Sequence, residues 1–456
     1  MPEMQATTAS TKPYKAYHLA NFHQLTQLER LPGELKHDIE VVGHVLPFKV
    51  NNFVVEHLIE WEQVPNDPMF TLTFPQRELL LPEQYEEMAK LLAQGAAPAE
   101  LRATANRIRM QLNPHPGGQL ANNVPRHDGE TLHGMQHKYR QTVLFFPTQG
   151  QTCHAYCSFC FRWPQFVGIS DLKFATREVE LLVAYLREHE EVTDVLFTGG
   201  DPLIMSAKNL GSYVDPLLDA HLPNLRRIRI GTKALTYWPY KFLNEPDSEA
   251  LLALFRRVVD SGKHLALMAH FNHWCELQPS VVQVAISRIR QTGAEIRTQS
   301  PLLRHINDQP ETWIRLWNEQ VDLGCIPYYM FIARDTGAQH YFAVPLVRAW
   351  EIFRNAYKNV SGLCRTVRGP SMSANPGKIQ LLGVGEVLGH KVMELRMLQG
   401  RNPDWVHRPF FAEHDETATW INQLKPAFGE DKFFFEEELE SFYRENLNIT
   451  IAHNFE

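Results

Sequence analysis

From residue 142 onward, short β-branched or apolar runs alternate with amphipathic segments, the pattern of βα units feeding a parallel sheet. The runs are TVLFF (142–146), DVLFT (194–198), RIRIG (227–231), LALMAHF (265–271), EIRTQ (295–299) and PYYMFIA (327–333). Helical patterns follow or separate them at 178–188, 248–261, 279–291, 311–323 and 344–357. Six such repeats predict an α/β chain built on a partial, TIM-like (β/α)6 barrel; a doubly wound open sheet would give the same string and differ only in strand order. In such barrels the functional side chains come from loops at the C-terminal ends of the strands, so those six ends are where chemistry is to be sought.

Residues 1–135 mix short helical patterns with Pro- and Asn-rich connections and predict a mostly helical region ahead of a barrel spanning 136–360. Past 361 the alternation stops, and GPSMSANPGK leads into what reads as a C-terminal α+β cap over 361–456. Its final EDKFFFEEELESFYREN predicts a helix with a charged, solvated face and inward-packed aromatics. With 456 residues, 44% hydrophobic and 21% charged, the composition excludes collagen-like and wholly disordered chains. The net charge of −7 argues against a partner tracked through its phosphate backbone, so nucleic acid is not expected. No apolar window approaches a membrane span and no basic-then-apolar leader opens the sequence, which predicts a cytoplasmic protein without membrane contact.

Three of the six cysteines fall within eight positions, in TCHAYCSFCF: Cys153, Cys157 and Cys160, just after the first strand run. Six cysteines in a chain this long are too sparse for a disulfide scaffold, and a tight cluster in a reducing compartment points to metal or redox chemistry. Three thiolates on a cubane cluster with no fourth cysteine nearby leave one iron open for an external ligand. The alternatives are a zinc site completed by His154, an electron-transfer cluster with a distant fourth cysteine, or free thiols; zinc motifs usually pair one C-x2-C with a second.

The other polar signals sit at strand ends. In TGGDPL, Gly199 and Gly200 allow a ligand close to the backbone and Asp201 can accept from an ammonium or a ribose hydroxyl, although Gly-Asp-Pro is also an ordinary turn. HFNH places His270 at the fourth end, and Gln299 with Ser300 closes the fifth. Arg162, two residues past the third cysteine, can clamp a carboxylate bidentately, its plainer role being a structural ion pair. Lys378 follows the turn Asn375-Pro376-Gly377, which can present an amine for Schiff-base chemistry; its local sequence alone reads as an exposed lysine.

Taken together these residues resemble the radical S-adenosylmethionine superfamily, whose Cys-x3-Cys-x-aromatic-Cys signature is matched by Cys153, Cys157, Phe159 and Cys160. Within it, residues 130–380 resemble the lysine 2,3-aminomutases: the cysteine loop with Arg162, GGDPL at 199–203, RIGT at 229–232, HFNH at 270–273, QSPLLRHIND at 299–308, PYY at 327–329, SGLC at 361–364 and Lys378 fourteen residues past Cys364. The resemblance implies a [4Fe-4S] cluster whose open iron chelates S-adenosylmethionine, with Gly199, Gly200 and Asp201 around its amino-acid part, Phe159 against adenine, and His270 and Gln299 at the same mouth. It implies that Lys378 carries pyridoxal 5′-phosphate, that Arg162 takes the substrate carboxylate, and that a 5′-deoxyadenosyl radical drives migration of nitrogen from C2 to C3 of an amino acid. An electron donor such as flavodoxin or ferredoxin is expected, and a homo-oligomer is left open. Radical chemistry on the same scaffold without pyridoxal phosphate, such as epimerisation or peptide modification, and a non-catalytic iron-sulfur or zinc protein, are the alternatives.

The departures are specific. Where lysine-specific members hold the substrate's distant ammonium with two aspartates, this sequence has Ala333 and Ser371, with Asp335 two residues beyond the first. An unpaired ammonium in such a mouth is costly, so free lysine is not the expected substrate. The family's glycine-rich approach to the lysine is shortened to NPGK, and the basic residue associated with the cofactor phosphate aligns with Lys138, with Arg140 nearby. The C-terminal cysteines that hold an interfacial zinc in some relatives are absent, so no zinc is expected.

Overall fold

In the computed structural model, which describes residues 13–452, every apolar run becomes a strand of one eleven-stranded sheet. The first twelve residues, on which the expectation of no leader partly rested, lie outside the described residues. The sheet starts at β1 (Met135–Tyr139), which turns back antiparallel onto β2 (Thr142–Phe145). Then β3 (Asp194–Phe197), β4 (Arg227–Thr232), β5 (His264–His270), β6 (Glu295–Leu302) and β7 (Ile326–Ile332) follow, each parallel to the one before. Because spatial order equals chain order, the winding never reverses, which excludes the doubly wound alternative. Right-handed crossovers then carry the connecting helices to one face.

Those helices include α1 (Val179–Glu188), α2 (Ala207–Asp219), α3 (Ser248–Asp260), α4 (Ser280–Arg290), α5 (Pro310–Asp322) and α6 (Leu346–Lys358). Each buries one stripe: Leu251, Leu252 and Phe255 on α3, Val282, Ile286 and Ile289 on α4, Trp313 and Trp317 on α5. Burying side chains of this size contributes roughly 1.5–3 kcal/mol each. The strands alternate accordingly. On β4, Ile228, Ile230 and Thr232 are buried, while Arg229 faces the other way and pairs with Asp194 of β3 at 2.7 Å.

The region expected as a C-terminal α+β cap, 361–456, opens with strands that continue this sheet. β8 (Arg368–Ser373) is a seventh parallel strand, with Arg368 opposite Tyr329 and Ser371 opposite Phe331. β9 (Gly377–Val387), β10 (His390–Gly400) and β11 (Pro409–Glu413) then extend it antiparallel. RGPSMS, the sequence of β8, has no β-branched residue and contains Gly and Pro, so its pairing comes from the neighbouring strand rather than from propensity. In the tail, Phe433 and Phe435 are buried ahead of the final helix Glu436–Ala452, whereas Phe442 on it is exposed.

Two contacts join the ends of the parallel run. Lys138 of β1 donates to the carbonyl of Ala374, just past β8, and Arg401, just past β10, donates to the Asn122 carbonyl at 3.1 Å and to Asn123 Oδ1 at 2.7 Å. The sheet therefore curls until its first strand meets the segment after its eighth. No helix among the described residues is long and apolar enough to cross a membrane.

Candidate active site

The cysteines lie on an irregular stretch between β2 and α1 that has little regular hydrogen bonding of its own and is braced from two sides. One brace is the end of β3: Gly200 N–H donates to the Gly150 carbonyl at 3.1 Å and Asp201 N–H to the Thr152 carbonyl at 2.7 Å. A Cβ on Gly200 would stand 2.4 Å from that Thr152 oxygen, so only glycine allows the approach, and Gly199 adopts φ +142° beside it. The other brace is the N-terminal region. Lys49 Nζ donates to the Cys153 carbonyl at 2.7 Å, Tyr14 Oη to the His154 carbonyl at 2.8 Å, and Ser158 N–H to the Leu72 carbonyl at 2.8 Å.

All six cysteines are free. Burial pushes the Cys157 thiol up to about 11 and Cys160 to about 12, with Cys157 adding to the latter, so iron would displace protons on binding. Among the described residues the three sulfurs do not form a group lying within 4.8 Å of one another. Zn–S bonds of about 2.3 Å in a tetrahedron need sulfurs under about 4 Å apart, so the three thiols as they stand are not drawn in to the spacing of a single zinc site. His154, the proposed fourth zinc ligand, is buried with Nδ1 unpartnered and outside any such group. Phe159 stays half-buried, edge-on to Phe342 at 6.4 Å.

At the neighbouring strand ends, Asp201 is buried and its carboxylate is taken by protein donors: Thr232 Oγ1 at 2.8 Å, Lys233 N–H at 2.8 Å and Leu203 N–H at 2.9 Å. It fastens the ends of β3 and β4 together, and what it offers a ligand is a fixed backbone. His270 and Gln299 sit opposite one another across β5 and β6, with His270 Nε2 2.8 Å from Gln299 Nε2. Burial, with Lys233 and Arg162 nearby, lowers His270 to about 3, so the ring is neutral; accepting from Gln299 at Nε2 leaves Nδ1–H as its donor. Arg162 lies over Phe146 at 4.5 Å and Phe161 at 4.9 Å and makes no ion pair among the described residues, which leaves its charge for a ligand.

Sequence reasoning passed over a buried polar group beside these. Lys233 Nζ is held by Glu276, by Asn272 Oδ1 at 3.0 Å and by the His270 carbonyl at 3.3 Å, and Glu276 accepts from the Asn272 and His273 N–H groups. The available signal was the spacing from His273 to Glu276 in HFNHWCE, a capping box.

Lys378 is the second residue of β9, across from Ser373 of β8 and Gln399 of β10. A Cβ on Gly377 would stand 2.2 Å from the Gln399 carbonyl, so the residue before the lysine must be glycine for the hairpin to close. The turn is pinned by Arg401, whose Nε donates to the Asn375 carbonyl at 2.9 Å and whose N–H donates to the Pro376 carbonyl at 3.0 Å. The amine points inward, 4.0 Å from the Tyr329 ring centre and 5.3 Å from Phe331. Burial first, then Arg368 and Arg229, lower Lys378 to about 7. A second group of cations centres on Lys138, whose proton affinity is held well down by burial first and then by Arg401, Arg334 and Lys378. Arg334 Nε and Arg368 Nη2 are buried without partners. An amine of lowered proton affinity beside the unpartnered Arg368 nitrogen, with the Lys138 group acting on it in turn, fits a phosphorylated aldehyde such as pyridoxal phosphate. Arg140, the other basic residue noted upstream, contributes its carbonyl to His137 Nε2 at 3.1 Å.

No protein-family model matches the chain. It is 32% identical over 356 residues, 78% of this chain and 83% of the other, to a protein of Aquifex aeolicus (strain VF5) provisionally named L-lysine 2,3-aminomutase. This chain belongs to the lysine 2,3-aminomutase family. L-lysine 2,3-aminomutase of Escherichia coli (strain K12) is 28% identical over 248 residues, 54% of this chain and 68% of that one. A crystal structure of a radical SAM methyltransferase from Sphaerobacter thermophilus overlays 62% of this chain and 93% of that one at TM-score 0.35 and 16% identity, too loosely to inform the site. As a lysine 2,3-aminomutase homologue the chain is an isomerase-type radical enzyme. Within this family its own departures stand out: Ala333 is buried, Ser371 is buried with its hydroxyl on the Met330 carbonyl at 3.3 Å, and neither position offers a carboxylate. Asp335 lies past Arg334, with its backbone carbonyl accepting from Asn113 Nδ2 at 2.6 Å and its Oδ1 buried and unpartnered.

Proposed function

We propose that the chain is a radical S-adenosylmethionine, pyridoxal phosphate-dependent 2,3-aminomutase that moves an amino group from C2 to C3 of an amino acid other than free lysine. The observation that carries this is Lys378: a half-buried side chain whose amine is lowered to about 7, resting on Tyr329 in the same curled sheet whose second strand leads into the three-cysteine loop. Cys153, Cys157 and Cys160 would hold the [4Fe-4S] cluster, and the Gly199–Gly200 backbone and Phe159 the S-adenosylmethionine, in what we read as a partial (β/α)6 barrel. Once bound, these groups supply a 5′-deoxyadenosyl radical, and pyridoxal phosphate supplies the conjugated ring over which nitrogen migrates.

The rest is the chain's own work. Near neutrality a large fraction of Lys378 is unprotonated and able to attack a carbonyl, which an ordinary lysine at about 10.4 is not. Lys138, Arg334 and Arg401 would neutralise the phosphate. Arg162, unpaired and stacked on two rings, would orient the substrate carboxylate. Neutral His270, held by Gln299, would present Nδ1–H as a donor to ligand. Tyr329 and Phe331, stacked at 4.8 Å, line the amine with apolar surface that keeps water from the radical. With no carboxylate at 333 or 371, a distant substrate ammonium would stay unpaired, which supports a substrate lacking one. The cluster would be reduced by a one-electron donor of flavodoxin or ferredoxin type, in keeping with a cytoplasmic setting.

Borohydride treatment after incubation with pyridoxal phosphate tests this reading: wild-type chain should gain a pyridoxyl mass at Lys378 and the Lys378→Ala chain should not. Labelling elsewhere with Lys378 unmodified would overturn it.

A further inference from the structure

Tyr237 is the last residue of the short helix Ala234–Tyr237 that follows β4, and its hydroxyl oxygen lies 3.1 Å from Cys157 Sγ. The side chain is almost fully buried, and among the described residues its hydroxyl has no other hydrogen-bond partner. Its position is fixed independently of the cysteine. The Tyr237 carbonyl accepts from Asn51 Nδ2 at 2.8 Å, and Asn51, itself buried, also donates to the His154 carbonyl in the cysteine loop at 3.2 Å. The Lys233 ammonium sits 4.6 Å from the Tyr237 ring centre and is locked by the buried carboxylate of Glu276. Neither the phenol nor the lysine is used in the aminomutase chemistry described above, and nothing in the sequence around Thr232–Trp238 pointed to the cysteine loop.

A thiol can donate or accept, but a thiolate bound to iron can only accept. Once Cys157 ligates, the contact therefore has one direction, from the Tyr237 O–H to sulfur. A hydrogen bond donated to a ligating sulfur draws negative charge away from the iron, stabilises the reduced cluster, and so raises its reduction potential. We infer that Tyr237 is a positioning residue of the iron-sulfur centre, donating a hydrogen bond to the Cys157 ligand and thereby setting the potential at which the cluster accepts its electron. The inference rests on the reading that Cys153, Cys157 and Cys160 hold a cluster.

The test compares anaerobically reconstituted full-length wild type and Tyr237→Phe, matched for iron and sulfide, without S-adenosylmethionine. The midpoint potential from a redox titration followed by electron paramagnetic resonance should move to more negative values in the variant. The iron–cysteine stretching bands in resonance Raman should shift when wild type is moved from H2O to D2O, and most of that shift should be absent in the variant. Equal potentials with the same isotope response would overturn the inference while leaving the cluster, and the functional reading, in place. Should Tyr237→Phe fail to hold iron, the wild-type bands decide alone: insensitivity to D2O overturns it. Absence of a cluster in wild type would defeat the functional reading itself.

Discussion

The cysteine loop and the lysine hairpin leave the same sheet, one after β2 and the other after β8, and they are assembled at different ranges. The loop carries its three cysteines within eight residues, and its surroundings only hold it still. The hairpin carries one lysine, and its surroundings arrive from far along the chain: Tyr329 and Phe331 from β7, Arg229 from β4 and Arg368 from β8, with Lys138 acting between it and Arg334 and Arg401. The two regions do share one device. Gly200 lets the end of β3 touch the Thr152 backbone, and Gly377 lets the hairpin close on Gln399, in each case where a Cβ would clash with a carbonyl oxygen. The residues that could carry chemistry are thus neighbours in sequence in one region and drawn from far apart in the other, whereas the positioning of both is long-range.

The sharpest break would come at the loop. Cys157→Ala should remove the cluster and abolish 5′-deoxyadenosine release, measured by chromatography under dithionite, while leaving pyridoxal phosphate capture at Lys378 intact. Lys378→Ala should do the converse, abolishing the borohydride-fixed label and amino-group migration but keeping reductive cleavage of S-adenosylmethionine. Gly200→Ala and Gly377→Ala should each cost about 1–3 kcal/mol in chemical denaturation, as expected where an added group forces backbone apart. Each should also impair its own cofactor, the first lowering cleavage of S-adenosylmethionine and the second slowing capture of pyridoxal phosphate.

The smallest effect concerns pH. Only the unprotonated amine attacks an aldehyde, so capture should rise as pH passes through about 7 and then level off, where an unperturbed lysine would keep gaining until about 10.4. Arg368 holds the Lys378 proton affinity down, so Arg368→Gln should move that inflection to higher pH, seen in the absorbance of the captured cofactor. An unmoved inflection would remove Arg368 from the account.

This difference in range explains what the sequence disclosed. The six parallel strands were legible because each is an apolar run bounded by turn residues, and the cysteines because cluster ligands need a fixed spacing. β8 was hidden, since RGPSMS has neither the alternation nor the residue types of a strand and pairs only because Tyr329 and Phe331 stand ready beside it. The N-terminal region looked separate because nothing in its sequence shows that Tyr14, Lys49 and Leu72 hold the cysteine loop. Asp201 was chosen for its motif, and only the fold shows its carboxylate already spent on Thr232, Lys233 and Leu203. Lys378 read locally as a surface lysine; its partial burial depends on a sheet that curls until Lys138 reaches Ala374.

The central claim is that one curled sheet joins a radical-generating cluster to a reactive lysine. An anaerobic absorbance spectrum of the reconstituted chain, taken before and after borohydride with dithionite-driven 5′-deoxyadenosine release measured alongside, tests it most directly. The account predicts cluster absorbance, cleavage of S-adenosylmethionine and a borohydride-sensitive band that disappears in Lys378→Ala. Cleavage with no such band would separate the lysine from the chemistry, and a chain that binds no cluster would contradict the account altogether.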